Sequence, residues 1–561
     1  MANLSVAADQ DITILVTGIK GKLKENVLLH IGNHSGAELA NRRSLYADVH
    51  AQCEQALQAM GYFNANITVE EVTEKKTPLL KVVIDKGRAV LIRALNVQIT
   101  GAGANDTALH KTIDEWRIKN NGVFNSAKYA RSKDQLLTVA LQNGYLDANY
   151  SYHKVLINRQ ENSAAVTLKF DSGQRYRFTD ATISGTRLKA KVTDKFVGWK
   201  HGDFYSSEKI IEYRRHLLDS RYFNKVQVET LPDRLSGEAK VAADVTMARR
   251  NNLGVGVGFG TDTGPRGKFG WVKPWINSRG HSAGGSIGLS NIHTKFNANY
   301  QVPVNSAIDR YFQLDLNIEK VDFEDTISDK QNISLRYHTP FRTHWNTDVF
   351  VRQAFESFEQ GEQDDRSQLL IPGIAFDSTI AKGGLIPQSG RRYSFLAEFA
   401  HEDLLSDASF VRLVANGKWL RSRGKHRLLT EVQLGAIEFL DSSKLQDLPP
   451  SLRFFAGGDN SIRGYGYKSL APEDENGDLV GGQYLSVARL EYGYRFKPSW
   501  RTVLFVDGGK AFSNSSDKTY IGPGIGLHWL SPIGSVRFDL AASVSDDDNR
   551  MRFHMTLGPE L

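Results

Sequence analysis

The chain has 561 residues, too many for one compact core, so two or more domains are expected. Its hydrophobic content of 40%, charged content of 24% and mean hydropathy of −0.38 look soluble; no run of about 18 apolar residues exists, which excludes a transmembrane helix but not a membrane barrel, whose strands are apolar on one face only. Net charge is +7, from 70 basic and 63 acidic residues with no dense Lys/Arg block, which argues against nucleic-acid binding.

The N-terminal Met1–Ser5 has neither a basic n-region nor an apolar h-region. The chain is therefore either cytosolic or lacks a signal peptide that Met1 replaces, and the barrel pattern described below favours the second. Cys53 is the only cysteine, so intramolecular disulfides and Cys-based metal sites are impossible. Its neighbours suggest a helix, and a half-buried bystander is expected.

From about residue 10 to 248 the pattern is mixed α/β and it repeats. Gly61–Val69 (Gly-Tyr-Phe-Asn-Ala-Asn-Ile-Thr-Val) recurs as Gly144–Tyr152 and more loosely as Arg221–Val228, at a spacing of roughly 80 residues, one small domain per copy. Each copy follows a stretch with apolar residues at helical spacing: Ala51–Met60, Ser132–Gln142 and Ser207–Asp219. Leu80–Asp85, Lys86-Gly87 and Val90–Thr100 read as strand, turn, strand, and Val166–Phe170, Ser172-Gly173 and Tyr176–Ile183 repeat that order, the glycines serving positive-φ positions. Each unit reads as β-α-α-β-β. The expected domains are residues 1–87, 88–171, 172–248 and 249–561.

From residue 249 onward the grammar changes to long alternating strands. Phe312, Leu314, Leu316 and Ile318 alternate with Gln313, Asp315, Asn317 and Glu319; Phe296, Ala298 and Tyr300 alternate with polar residues; Leu428, Val432, Leu434 and Ala436 face away from Glu431 and Gln433. Roughly sixteen such strands follow one another, with Trp271, Trp275, Trp419, Trp500 and Trp529 near segment ends as interface girdles would place them. The expected fold is therefore α+β repeats followed by an all-β antiparallel transmembrane barrel with an apolar outside and a polar lumen.

Two features of the barrel carry chemistry. The first strand, Asn252–Gly260, has glycine at Gly254, Gly256, Gly258 and Gly260, so one face from Leu253 onward has no side chains. The last strand is expected at Arg550–Gly558, with Met551, Phe553, Met555 and Leu557 on its lipid face. These two strands must close the barrel, and their junction is a candidate lateral seam; the other reading is that glycine clears room in the lumen. The second feature is the segment from about Asp441 to Gly482, too long for an ordinary hairpin loop. It contains Ser461-Ile462-Arg463-Gly464-Tyr465. If it dips into the lumen, Arg463 can meet inward-facing Asp507, beside Gly508, and Asp539, which shares a face with Arg537 and opposes Phe538. A buried arginine needs such partners.

These motifs resemble the BamA/TamA superfamily of outer-membrane protein assembly and translocation barrels. In that family an Arg-Gly-Phe/Tyr loop motif is tucked into a sixteen-stranded barrel and its arginine contacts acidic residues on late strands. The resemblance carries to Arg463-Gly464-Tyr465, Phe505-x-Asp507-Gly508 and Val536-Arg537-Phe538-Asp539, and the repeats resemble the family's polypeptide-transport-associated (POTRA) domains. Three such domains point to the TamA branch. The resemblance implies a Gram-negative outer membrane, periplasmic N-terminal domains, and insertion or secretion of β-rich clients such as autotransporters. It also implies a TamB-like inner-membrane-anchored partner docked on the first POTRA-like domain, and contact with outer-membrane lipid. The end, Leu557–Leu561, departs from the terminal aromatic common in such barrels.

A dedicated two-partner-type secretion pore or a passive porin-like channel would use a similar barrel. The first would be favoured by an N-terminal plug helix, for which residues 1–11 are too short. No enzymatic role and no cofactor are expected: no His-Glu-x-x-His, Gly-x-Ser-x-Gly or phosphate-binding loop occurs. The acidic run Ser545–Asp548 reads as a charged turn before the last strand rather than a calcium site.

Overall fold

The computed structural model describes residues 11–72, 79–306, 309–384, 386–532, 534–545 and 550–558. The readings made on Met1–Ser5, on Asp546–Asp548 and on Pro559–Leu561 lie outside them. Two compact units are present, the first holding Met1–Thr182, Val197–Arg214 and Gln227–Ala243, the second Ile183–Phe196, Arg215–Val226 and Asp244–Leu561.

The first repeat runs β1 (Thr13–Thr17), α1 (Gly21–Ile31), α2 (Arg42–Ala59), β2 (Asn66–Val72) and β3 (Leu79–Asp85), with sheet order β1-β3-β2. Val27, Ile31, Val49 and Leu57 of the helices bury against Val16, Leu80, Val82 and Ile84 of the sheet. The second repeat has the same order: β4 (Leu91–Thr100), α3 (Thr107–Asp114), α4 (Ser126–Gln142), β5 (Asn149–Asn158) and β6 (Ser163–Asp171), with sheet order β4-β6-β5. The third contains β7 (Arg177–Phe178), β8 (Thr182–Ser184), α5 (Ala190–Thr193), α6 (Ser207–Asp219), β9 (Phe223–Asp233) and β10 (Glu238–Met247), and β10 lies between β7 and β8.

Three local expectations are corrected. Helix α2 begins at Arg42 and α4 at Ser126, ahead of the apolar stretches, because the Asn41 and Asn125 side chains accept from Ser44 N and Lys128 N and start the helices there. The strand–turn–strand segments are not hairpins. Gly87 (φ 62°) and Gly173 (φ 63°) do take positive φ, but the strands flanking each belong to different sheets, so these turns link domains. Cys53 is fully buried rather than half-buried, and burial pushes its thiol up to about 11, which leaves it unreactive.

The second unit carries a closed antiparallel barrel of sixteen strands in sequence order. They are β11 (Asn252–Gly260), β12 (Gly264–Lys273), β13 (Ser282–Leu289), β14 (His293–Ser306), β15 (Arg310–Phe323), β16 (Thr326–Arg342), β17 (Trp345–Gln360) and β18 (Gln363–Lys382). The rest are β19 (Ser389–Ala400), β20 (Phe410–Arg423), β21 (His426–Phe439), β22 (Tyr484–Lys497), β23 (Trp500–Phe512), β24 (Tyr520–Ser531), β25 (Gly534–Ala542) and β26 (Met551–Gly558). The end where β11 begins is called proximal and the other end distal. The period of two holds: Phe312, Leu314, Leu316 and Ile318 are exposed on the outer face, whereas Asp315 is buried inside.

Two expectations about the barrel change. Trp275 is no girdle residue; it is buried beneath the proximal β12–β13 turn, donates Nε1–H to Ala248 O (3.0 Å) and lies under the guanidinium of Arg250. The lumen is not polar throughout either. The segment between β21 and β22 folds into the distal half and brings its own apolar residues, Leu452, Phe454, Ile462 and Leu470, against Leu369, Ile371, Phe410, Ile437 and Val487 of the wall. A long loop enclosed by a barrel is shielded from water, so it needs a core of its own.

Candidate functional site

The loop tip holds Arg463 with its side chain 3% exposed. Its guanidinium forms a fork on Asp507 of β23, Nε donating to Oδ2 (2.7 Å) and Nη2 to Oδ1 (2.9 Å), while its backbone N–H also donates to Asp507 Oδ2 (3.2 Å). Nη1 donates to Asp539 Oδ2 of β25 (3.0 Å) and to Glu491 Oε2 of β22 (3.2 Å). The Phe505 ring lies 3.4 Å from the guanidinium carbon and covers one face of it. Arg489 approaches Asp507 (3.5 Å) and Arg427 approaches Glu491 (3.6 Å), so the cluster sets three guanidiniums against three carboxylates in a site closed to water.

The expected contacts with Asp507 and Asp539 are both present. Glu491 was missed, because it stands among ordinary alternating residues of a middle strand. Gly464 takes φ +100°, and a Cβ there would stand 2.9 Å from Ala542 O. Tyr465 donates its hydroxyl to Ile521 O (3.0 Å) and accepts from Ser545 N (3.2 Å). Gly508 lies on the outer side of β23, next to Asp507. Arg537 faces inward and lines a cavity of about 330 Å³ beneath the loop tip, without reaching the Arg463 cluster. Phe538, which the motif counts with the lock, takes no part in it: on the face opposite Asp539, as alternation requires, it stacks on Phe553 at 6.4 Å on the outside of β25 and touches nothing of the loop.

Space for the arginine comes from β24. A Cβ on Gly522 would stand 1.8 Å from Arg463 O, and one on Gly526 would stand 2.0 Å from Asp539 Oδ1. The alternation Gly522-Pro523-Gly524-Ile525-Gly526 is the sequence signal for that docking face.

The junction of β11 and β26 is built differently. Elsewhere neighbouring strands pair along most of their length; here the ladder is the single pair Gly260–Thr556, supported by Thr261 N donating to Met555 O (3.1 Å). The register offsets the strands, so that Asn252–Val257 run past Gly558 on the proximal side with no partner on β26 among the described residues. Leu253, Val255 and Val257 are 68%, 80% and 83% exposed. Gly254, Gly256 and Gly258 would meet nothing nearer than 3.7 Å if given a Cβ, which removes the reading that they clear room for neighbours. Gly260 alone is crowded, by Thr263 and Asp459 of the loop. Phe553, Met555 and Leu557 share the outer face of β26, with His554 buried inside.

The loop also spans this junction. Asp459 Oδ1 accepts from Thr261 Oγ1 (3.0 Å), at the distal end of β11, and lies 2.6 Å from His554 Nδ1 on β26. Gly464 N–H donates to His554 Nε2 (2.9 Å), which puts the ring proton on Nδ1, facing Asp459. Asp262 joins the group by accepting from Asp459 N (2.5 Å). Two carboxylates and a histidine within 4.8 Å suggest a cation site, but both ring nitrogens are committed and neither offers a free lone pair. The group is a hydrogen-bonded clasp.

A model of the Omp85 superfamily domain matches residues 249–560. The chain belongs to the Omp85 superfamily. Models described as POTRA domain TamA domain 1 and as surface antigen variable number repeat match residues 13–86 and 176–247. An Omp85 barrel preceded by POTRA domains is an outer-membrane protein whose POTRA domains lie in the periplasm, which makes the proximal end periplasmic. The chain is 23% identical over 484 residues to the outer membrane protein assembly factor BamA of Nitratidesulfovibrio vulgaris, covering 81% of this chain and 60% of that protein. It is 22% identical over 465 residues to BamA of Neorickettsia risticii, covering 76% and 60%. It thus spans about three fifths of the length of these relatives. The crystal structure of BamA from Haemophilus ducreyi lacking POTRA domains 1–3 superposes with a TM-score of 0.70 at 15% identity, over 83% of this chain and 99% of that one, a likeness of fold.

Proposed function

We propose that this protein is an outer-membrane assembly factor of the TamA branch, which inserts or secretes β-rich clients such as autotransporters through the junction of β11 and β26. One observation carries the reading: among the described residues the edge of β11 is unpaired over Asn252–Val257, while the rest of the wall is closed. In hydrocarbon each unpaired backbone group costs several kcal/mol. A client strand laid along β11 would satisfy those groups, with its apolar side chains beside Leu253, Val255 and Val257. The driving force is strand pairing and apolar burial in lipid, with no catalytic step and no nucleotide.

The match of residues 13–86 to a TamA-type first POTRA domain supports assignment to that branch. A TamB-like inner-membrane-anchored partner would dock on that domain. The Arg463 cluster braces β22–β25 so that opening stays confined to the seam.

The test is to tether the seam. Register places Gly256 and Gly258 opposite residues beyond Thr556, so cysteines there cannot meet His554 or Thr556. Phe259 and Leu557 lie one step along from the Gly260–Thr556 pair, and both point outward. In a Cys53→Ala background, Phe259→Cys with Leu557→Cys should abolish client assembly when oxidised and restore it on reduction. Full activity with the cross-link verified would mean transport through the lumen, as in a secretion pore, and the lateral reading would be discarded.

A further inference from the structure

The outer wall on β18–β21 holds two adjoining cavities. The one at the periplasmic end, about 610 Å³, is lined by Lys382, Arg391 and Arg421 together with Trp419 and Leu428. The other, about 510 Å³, lies further along the same strands and is bounded by Phe376, Phe395, Ala397, Leu413, Ala415 and Ala436.

The ladder explains how they adjoin. Lys382, Ser389, Arg421 and Leu428 form one outward rung, and Ile380, Arg391, Trp419 and Thr430 the next. Then come Ser378, Tyr393, Gly417 and Val432, and after them Phe376, Phe395, Ala415 and Leu434. Successive outward rungs are about 7 Å apart. The charged cavity and the apolar groove are therefore separated by the Tyr393–Gly417 rung. There Trp419 folds over Gly417, where a Cβ would stand 2.5 Å from its ring, and donates Nε1–H to the Tyr393 hydroxyl (2.8 Å).

The charges are of two kinds. The luminal cations Arg352, Arg412, Lys418 and Arg489 all have carboxylate partners within 3.5 Å. Lys382, Arg391 and Arg421 are exposed on the outer wall and take part in no ion pair among the described residues. A cation on the lipid face is tolerated only near the interface, which sets these three at headgroup level in the periplasmic leaflet. Ala397, Ala415 and Ala436 interrupt the large outward side chains above them and leave an apolar furrow.

We propose that this wall, remote in strand order from the seam, binds one anionic glycerophospholipid of the periplasmic leaflet. Its phosphate lies among Lys382, Arg391 and Arg421, its glycerol backbone beside Trp419, and one acyl chain along the Ala397–Ala415–Ala436 furrow. Charge complementarity selects the anion. The furrow selects a lipid over free phosphate, because an inorganic ion gains nothing from it. The site anchors the closed side of the barrel to its leaflet.

The test uses the full chain, delipidated in neutral detergent and titrated with phosphatidylglycerol, with bound lipid read by native mass spectrometry. One phosphatidylglycerol should be retained in preference to phosphatidylcholine. Each basic residue is worth about fivefold beside an anionic lipid. The triple variant Lys382→Gln, Arg391→Gln, Arg421→Gln should therefore weaken retention roughly a hundredfold. Ala415→Phe fills the furrow without touching the charges, and should also weaken it. Wild-type retention in the triple variant overturns the site. Displacement by inorganic phosphate with no effect of Ala415→Phe also overturns it, leaving an anion site without lipid. A photoactivatable phosphatidylglycerol on the unmodified protein gives a check free of any folding defect: cross-links should fall on β18–β21, and labelling spread evenly round the barrel overturns the proposal.

Discussion

Two junctions of one barrel differ in how they are held. Across β22–β25, Arg463 reaches three carboxylates on three strands at 2.7–3.2 Å, with long ladders on either side. Across β26–β11 there is, among the described residues, one ladder pair and a clasp of neutral and singly charged hydrogen bonds. Both are served by the same loop, whose residues 459 and 463–465 lie within seven positions of each other. A buried ion cluster resists opening because each group left behind is costly, whereas a few exchangeable hydrogen bonds do not. On the proposed lateral opening, the loop would set where the barrel parts as well as where it does not.

Removing the arginine should break that contrast most severely. Arg463→Ala leaves Asp507, Asp539 and Glu491 in a dry site with the more distant Arg427 and Arg489 offsetting them only in part, and should cost about 3–5 kcal/mol. The measurement is the temperature at which the folded band is lost in heat-modifiability gels. Arg463→Lys should recover only part of the loss, since an ammonium cannot form the fork on Asp507 while also reaching Asp539. If Arg463→Ala leaves both heat-modifiability and client assembly unchanged, the bracing role is wrong.

Gly464→Ala comes next. The backbone at φ +100° and the 2.9 Å approach to Ala542 O oppose any side chain there, so a loss of about 1–3 kcal/mol is expected. It would undock the tip from β25 and β26 together. The same gel should show it, along with faster hydrogen exchange in β26 than in β22.

How legible these junctions were in the sequence follows from their physics. Strand alternation, the repeat of Gly61–Val69 at Gly144–Tyr152 and the isolated carboxylates at Asp507 and Asp539 are local signals, and each pointed to its element. Glu491 and His554 act through register, which sets partners from strands far apart in sequence, so no local signal marks them. Phe538 belongs to the lock only by sharing a motif with Asp539; alternation already sets it on the opposite face, and adjacent strand residues do not share a role. Trp275 has the sequence position of a girdle residue, but position near a strand end does not distinguish a lipid-facing ring from one buried beneath a turn.

The clasp gives a smaller effect. Asp459→Asn keeps the size of the side chain but weakens its bonds to His554 and Thr261, a change of about 1.5 kcal/mol for hydrogen bonds to a charged group. It should leave the Arg463 cluster intact, so heat-modifiability should barely move. The Phe259→Cys/Leu557→Cys pair should instead change its rate of disulfide formation, since the two edges are no longer held by one carboxylate. An equal loss in heat-modifiability would mean that the clasp and the ion cluster act as one unit and that the two junctions are not independent.

The smallest effect on stability is the most informative about β11. Gly256 has only Lys268 Cβ within 4 Å of an added methyl, at 3.8 Å, and its φ is not positive. Gly256→Ala therefore meets no steric objection, and by narrowing the unfolded ensemble it should stabilise the barrel by about 0.4–1 kcal/mol. A glycine where an added methyl meets no steric objection has no packing purpose in the resting barrel. If client assembly falls in Gly256→Ala while heat-modifiability holds or rises, the bare face of β11 serves the moment when the strand bends away or is approached closely by a client. If assembly is unchanged, the unpaired edge alone is enough, and the glycine face can be set aside as part of the seam.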